Sequence, residues 1–147
     1  MAKDPAVFSA DRFLDHIPHV KALGIRVAEV RADAIVFALP YQEALVAYEE
    51  TGVLAGGAIF TLMDSACGAA VFAARRDFGP TATLDLRLDY LKPATPGETV
   101  YAEAECYRLT RHIAFVRGTA SHGDVSDPIA LSTGTFMVSH FDPAKRG

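Results

Sequence analysis

The sequence predicts an α+β domain in which a curved antiparallel sheet wraps around one long buried helix. Three observations carry that prediction. Residues 56–74 contain almost nothing polar except Thr61, Asp64 and Ser65, and a helix that is apolar all round must be buried. Long stretches of alternating apolar and polar residues follow, joined by short turns, and such runs pair antiparallel because parallel pairs need longer crossovers. The order of helix, hairpin, long helix and then three or four strands marks α+β rather than α/β.

Taken in order, Asp4-Pro5 opens a short helix reaching about Ile17, with Phe8, Phe13, Leu14 and Ile17 spaced for one apolar face. Pro18 interrupts it, a further helical turn follows, and Gly24 stops that turn. Residues 25–30 alternate, and residues 35–39 form a second strand ended by Pro40, so the two read as a hairpin. Residues 41–51 are polar, acidic and irregular, and are expected as a loop. The apolar helix comes next. Beyond the Gly79-Pro80 turn, strands are expected over 81–91, 99–109, 112–122 and 129–139.

Composition narrows the function. The 147 residues suit one domain, 50% of them are hydrophobic and 22% charged, which is ordinary globular composition. A formal net charge of −4, with no dense basic stripe, argues against nucleic acid. Gly56, Gly57, Gly68 and the mid-span Asp64 argue against a membrane span. Residues 1–10 lack the apolar core of a signal peptide, so a cytoplasmic protein is expected. Cys67 and Cys106 then read as free thiols.

Asp64 is the first chemical candidate. A carboxylate in a buried helix is costly unless paired, hydrogen-bonded or protonated. It is tolerable where it activates water or attacks a carbonyl. The plain alternative is a structural Asp, or one facing a wet cleft. Gly56-Gly57 comes second: glycines at a helix start let a ligand approach free N–H groups that suit an oxyanion, or simply allow close packing. His16, His19, His112, His122 and His140 are scattered, so no metal site is expected. No nucleophile elbow, Walker loop or dinucleotide fingerprint occurs. Arg75, Arg76, Arg108, Arg111, Arg117 and Lys92 suit phosphate contacts or solvated strand edges.

The segment GVLAGGAIFTLMDSACG, residues 52–68, resembles the central helix of hotdog-fold acyl-CoA thioesterases. Within the 4-hydroxybenzoyl-CoA thioesterase superfamily it is most similar to the PaaI-like (phenylacetate-degradation type) group. The resemblance continues through TLDLRLDYLKPA at 83–94, RHIAFVR at 111–117 and the strand at 130–138. It implies one hotdog domain spanning the chain, with a core of about 23–139, that hydrolyses acyl-CoA without a cofactor. It also implies a homodimer or homotetramer whose sites form where two subunits meet.

By that resemblance Asp64 is the general base or nucleophile, the Gly56 N–H polarises the thioester carbonyl, and Thr83 positions water. Asp64 and Thr83 would come from one subunit and the Gly56 loop from its neighbour. Leu54, Ala55, Gly57, Phe60 and Leu84 would line the substrate pocket, and Arg111 would contact coenzyme A. The family pattern reads His-Gly-Gly where this chain has Ala55-Gly56-Gly57. The Asn that many members carry upstream is also absent from Tyr48-Glu49-Glu50. Losing one such polar group costs about ten- to a thousandfold in rate. The resemblance therefore leaves two readings: a working thioesterase, or a catalytically impaired hotdog protein that binds acyl-CoA or serves as a partner subunit.

Overall fold

A computed structural model describes residues 5–76 and 79–139, with side chains from residue 10 onward. The helices are α1 (Pro5–Asp15), α2 (Pro18–Ala22) and α3 (Gly56–Arg75). The strands are β1 (Arg26–Val30), β2 (Ile35–Leu39), β3 (Thr81–Tyr90), β4 (Val100–Leu109), β5 (Ile113–Ser121) and β6 (Ala130–Val138). Pro18 opens α2, where its fixed φ and missing N–H cost nothing. Gly24 then turns the chain at φ +74°, a conformation that favours glycine. The Phe8 side chain and His140 lie outside the described residues.

All six strands form one antiparallel sheet in the order β1-β2-β4-β5-β6-β3. The expected hairpin of β1 and β2 is present. One implied neighbour relation changes: β3 and β4, consecutive across a short connection, do not pair. Both edges of β4 are taken by β2 and β5, so β3 joins the remaining free edge, that of β6. Residues 41–51 are also more ordered than a plain loop, with a 3-10 turn at Glu43–Leu45 and a bridge between Val46 and Leu54.

The sheet wraps α3 because its inner face is lined by small side chains. Ala102, Ala104, Ala114 and Ala120 are buried under the helix alongside Val100 and Val116. Gly118 completes this floor: a Cβ there would lie 2.9 Å from Met63 Cε and 3.0 Å from Ser132 Oγ. From the helix, Leu62, Met63, Ala66, Cys67 and Val71 are wholly buried. Truncating one of the larger side chains would cost about 2–5 kcal/mol. By length and composition α3 could cross a membrane, but 61% of its apolar window is buried inside the fold. Burial pushes the Cys67 thiol up to about 12, which marks an inert core residue.

The end of α3 is tied by Arg75. Its guanidinium donates to Gly79 O (3.1 Å), Thr81 Oγ1 (3.0 Å) and Ser139 O (2.7 Å). Arg75, a phosphate candidate in the sequence, is thus a fastener between α3, β3 and the end of β6.

Candidate active site

α3 is not apolar on every side once folded. Phe60, Thr61 and Asp64 lie on a face that the chain's own sheet leaves open, and Asp64 is half-buried. The mid-helix carboxylate therefore opens on a cleft rather than on the core, which answers how its desolvation is tolerated. Thr83 Oγ1 of β3 donates to Asp64 Oδ1 at 2.8 Å. The pair faces a cavity of about 340 Å³ whose walls include Phe13, Ile17, Phe60, Gly68, Phe72 and Phe136. Ser65 and Thr61, also on this wall, spend their hydroxyls on helix carbonyls, Thr61 O at 2.7 Å and Gly57 O at 2.9 Å. Beyond the Asp64–Thr83 pair the cavity wall is mixed: phenyl rings and Val20 share it with His19 and Thr81.

The glycines sit elsewhere. Gly56 opens α3, about 12 Å along the axis from Asp64, and lines a second hollow with Leu54, Ile59, Tyr90 and Lys92. Tyr90 Oη of β3 donates to Gly56 O at 2.8 Å. Burial raises the Tyr90 phenol above its ordinary value, so it stays protonated and able to donate. A Cβ on Gly56 would lie 3.4 Å from Tyr90 Oη, whereas one on Gly57 would meet nothing within 4 Å. Packing within the chain therefore gives no reason for glycine at 57. The space beside it is open to a ligand or a second chain.

Ala55 is the N-cap of α3 and supplies no side-chain cap. The main chain holds the loop instead: Ala55 N–H donates to Leu45 O (2.9 Å) and Ala47 N–H to Val53 O (2.8 Å). Tyr41 Oη adds a bond to Gly52 O (2.8 Å). Of the other sequence candidates, Phe60 lines the Asp64 cavity and Leu54 is buried beside Gly56. Leu84 is 55% exposed and lines neither hollow, so within one chain it is not a pocket wall. Arg111 is exposed in the β4–β5 turn. The next residue, His112, accepts the Val138 N–H, and Val138 pairs with Thr81, so Arg111 lies at the Thr83 end of β3.

Tyr90 was not singled out from the sequence, and one backbone irregularity explains why. Thr83 and Tyr90 are seven residues apart, so on a regular strand they would point to opposite faces. Both touch α3 because β3 carries a bulge at Leu84, between Thr83 and Asp85, and an extra residue flips the alternation. The signal for it was Gly134 in the middle of β6, since an isolated strand glycine often marks a bulge. A Cβ at 134 would lie 2.6 Å from Asp85 O, so the bulge presses on that glycine.

A long helix wrapped by a curved antiparallel sheet is the architecture of the hotdog fold of PaaI-like proteins, and here a strand hydroxyl meets a helix carboxylate at the open face. The pattern shared by the thioesterase superfamily matches residues 51–129, and the chain belongs to that superfamily. A crystal structure of a protein from Pseudomonas aeruginosa superposes with a TM-score of 0.85 at 42% identity, covering 92% of this chain and 100% of that one. A mutant of the phenylacetic acid degradation protein PaaI from Thermus thermophilus gives a TM-score of 0.72 at 28% identity, covering 84% and 100%. The medium/long-chain acyl-CoA thioesterase YigI of Escherichia coli is 27% identical over 141 residues, covering 87% of this chain and 90% of YigI.

Proposed function

We infer that the protein hydrolyses acyl-CoA thioesters to free acid and coenzyme A. The observation that carries this reading is the Thr83–Asp64 hydrogen bond of 2.8 Å at a cavity walled in part by four phenyl rings. Thr83 occupies Oδ1, which leaves Oδ2 to take a proton from water or to attack the carbonyl itself. In the first route water adds to the carbonyl carbon, the C–S bond breaks, and the proton passes to the departing thiolate. The acyl group lies among Phe13, Phe60, Phe72 and Phe136. Those rings suit an apolar acyl group, in keeping with the likeness to the medium/long-chain acyl-CoA thioesterase YigI. Arg111, exposed at the Thr83 end of β3, is the residue read as meeting a coenzyme A phosphate.

The oxyanion donors require a second copy. Asp64–Thr83 and Gly56–Tyr90 are two half-sites near opposite ends of β3, about 12 Å apart along the axis of α3. β3 is the sheet edge, exposed over most of its length. Antiparallel pairing of two β3 strands about a two-fold axis would set the Asp64 half of each chain against the Gly56 half of the other. The protein is therefore read as a homodimer, or a tetramer built from such dimers.

The second reading, an impaired acyl-CoA-binding protein, draws on Ala55, whose methyl can donate no hydrogen bond to substrate. A thiol-release assay over aromatic and aliphatic acyl-CoAs, with Asp64→Ala in parallel, separates the two. Turnover lost by a thousandfold or so in the variant is the expected result. Saturable binding without turnover in the wild type, with turnover gained in Ala55→His, would give the second reading precedence.

A further inference from the structure

The Tyr90 hydroxyl holds Gly56 O at 2.8 Å, and that oxygen belongs to the peptide unit that also carries the Gly57 N–H. The same oxygen accepts the helical N–H of Phe60, and the second bond from Tyr90 restricts this planar unit further, and with it the direction of its N–H. Helix geometry leaves the Gly57 N–H among those with no acceptor inside the helix. The N-cap, Ala55, supplies no side-chain bond to this turn, and the space beside Gly57 is open. An amide whose oxygen accepts a hydrogen bond is also a better donor through its nitrogen.

We propose that Tyr90 is a positioning residue for thioester hydrolysis: it holds the Gly56–Gly57 peptide so that the Gly57 N–H, beside that of Gly56, points at the thioester oxygen. The proposal rests on the thioesterase reading and adds to it a second donor and the group that aims it. A tie serving only to fasten β3 to α3 would predict something different. Removing it would lower stability and leave the polarity of the bound carbonyl alone. Tyr90 is about half exposed and its ring remains in Tyr90→Phe, so that variant removes the hydrogen bond with little change in packing.

Two measurements test the proposal. In steady-state hydrolysis, Tyr90→Phe lowers kcat about tenfold with KM nearly unchanged, a smaller loss than the roughly hundredfold expected for deleting a donor outright. In the Asp64→Asn background, which blocks turnover, the infrared carbonyl stretch of bound 13C-labelled decanoyl-CoA lies below its value in water. Adding Tyr90→Phe moves it back toward that value. An unchanged stretch overturns the proposal, whatever happens to melting temperature. If the wild type binds decanoyl-CoA without hydrolysing it, the stretch still decides the Tyr90 question while the thioesterase reading falls. If no acyl-CoA of the aromatic and aliphatic panel binds, both fall together.

Discussion

β1 and β3 both lie at an edge of the same sheet and both carry a bulge, yet they treat that edge differently. β1 has five residues, exposes Arg26 and Glu29, is bulged after Val27, and is packed by α1. Short length, charge and a bulge are the usual means of blunting an edge against unwanted pairing. β3 has ten residues, and Leu84 and Tyr90 stand roughly half exposed on it. Its bulge turns Thr83 and Tyr90 onto the same face rather than ending the strand. One edge is closed off, and the other is left open where Thr83 and Tyr90 meet α3.

A charge placed on each edge separates them most sharply. On the proposed β3–β3 pairing, Leu84→Lys is expected to give a monomer where the wild type gives a dimer by light scattering, and to lower turnover a hundredfold or more. Ala28→Lys on β1 should change neither mass nor rate. A dimer that survives Leu84→Lys would move the interface away from β3.

The next largest effect concerns the bulge. Gly134→Ala puts a methyl 2.6 Å from Asp85 O, so backbone must shift. Overpacking of this kind costs about 1–3 kcal/mol, to be read from chemical denaturation. Turnover should fall tenfold or more as Thr83 is displaced from Asp64. Unchanged turnover would mean that the bulge does not set the Thr83–Asp64 geometry.

The smallest effect is one of selectivity. Phe13 stands over Gly68, with Phe13 Cζ 3.4 Å from where a Cβ would be, and packs at a tilt of 56° against Phe72 with ring centroids 5.3 Å apart. Phe13→Ala should shift the best substrate toward longer acyl chains by a few carbons, measured as kcat/KM across a chain-length series. No shift would place the acyl group outside the α1–α3 cavity.

Much of this arrangement was legible in the sequence. Alternation and apolar runs placed β2, α3 and the last four strands within a residue or two of where they lie, because side-chain periodicity is local. Asp64 stood out as a carboxylate in an apolar run, and Thr83 came with the family resemblance. Tyr90 did not, since its contact with Gly56 spans 34 residues and depends on a bulge that shifts the face of every residue after it. The second cue, Gly134, pointed to that bulge only once β6 was known to be the neighbour of β3.

The sequence by itself determined the elements, the buried helix, its carboxylate and the loss of the family histidine at Ala55, since each is written in residue type and spacing along a short stretch. Tertiary structure decided the strand order, the pairing of β3 with β6, the covering of the cavity by α1 and α2, and the separation of the Asp64–Thr83 and Gly56–Tyr90 pairs. Those depend on which edges remain free after other strands have paired and on how close small side chains let the helix approach. Such choices are made between segments far apart in the chain, where local periodicity carries no information.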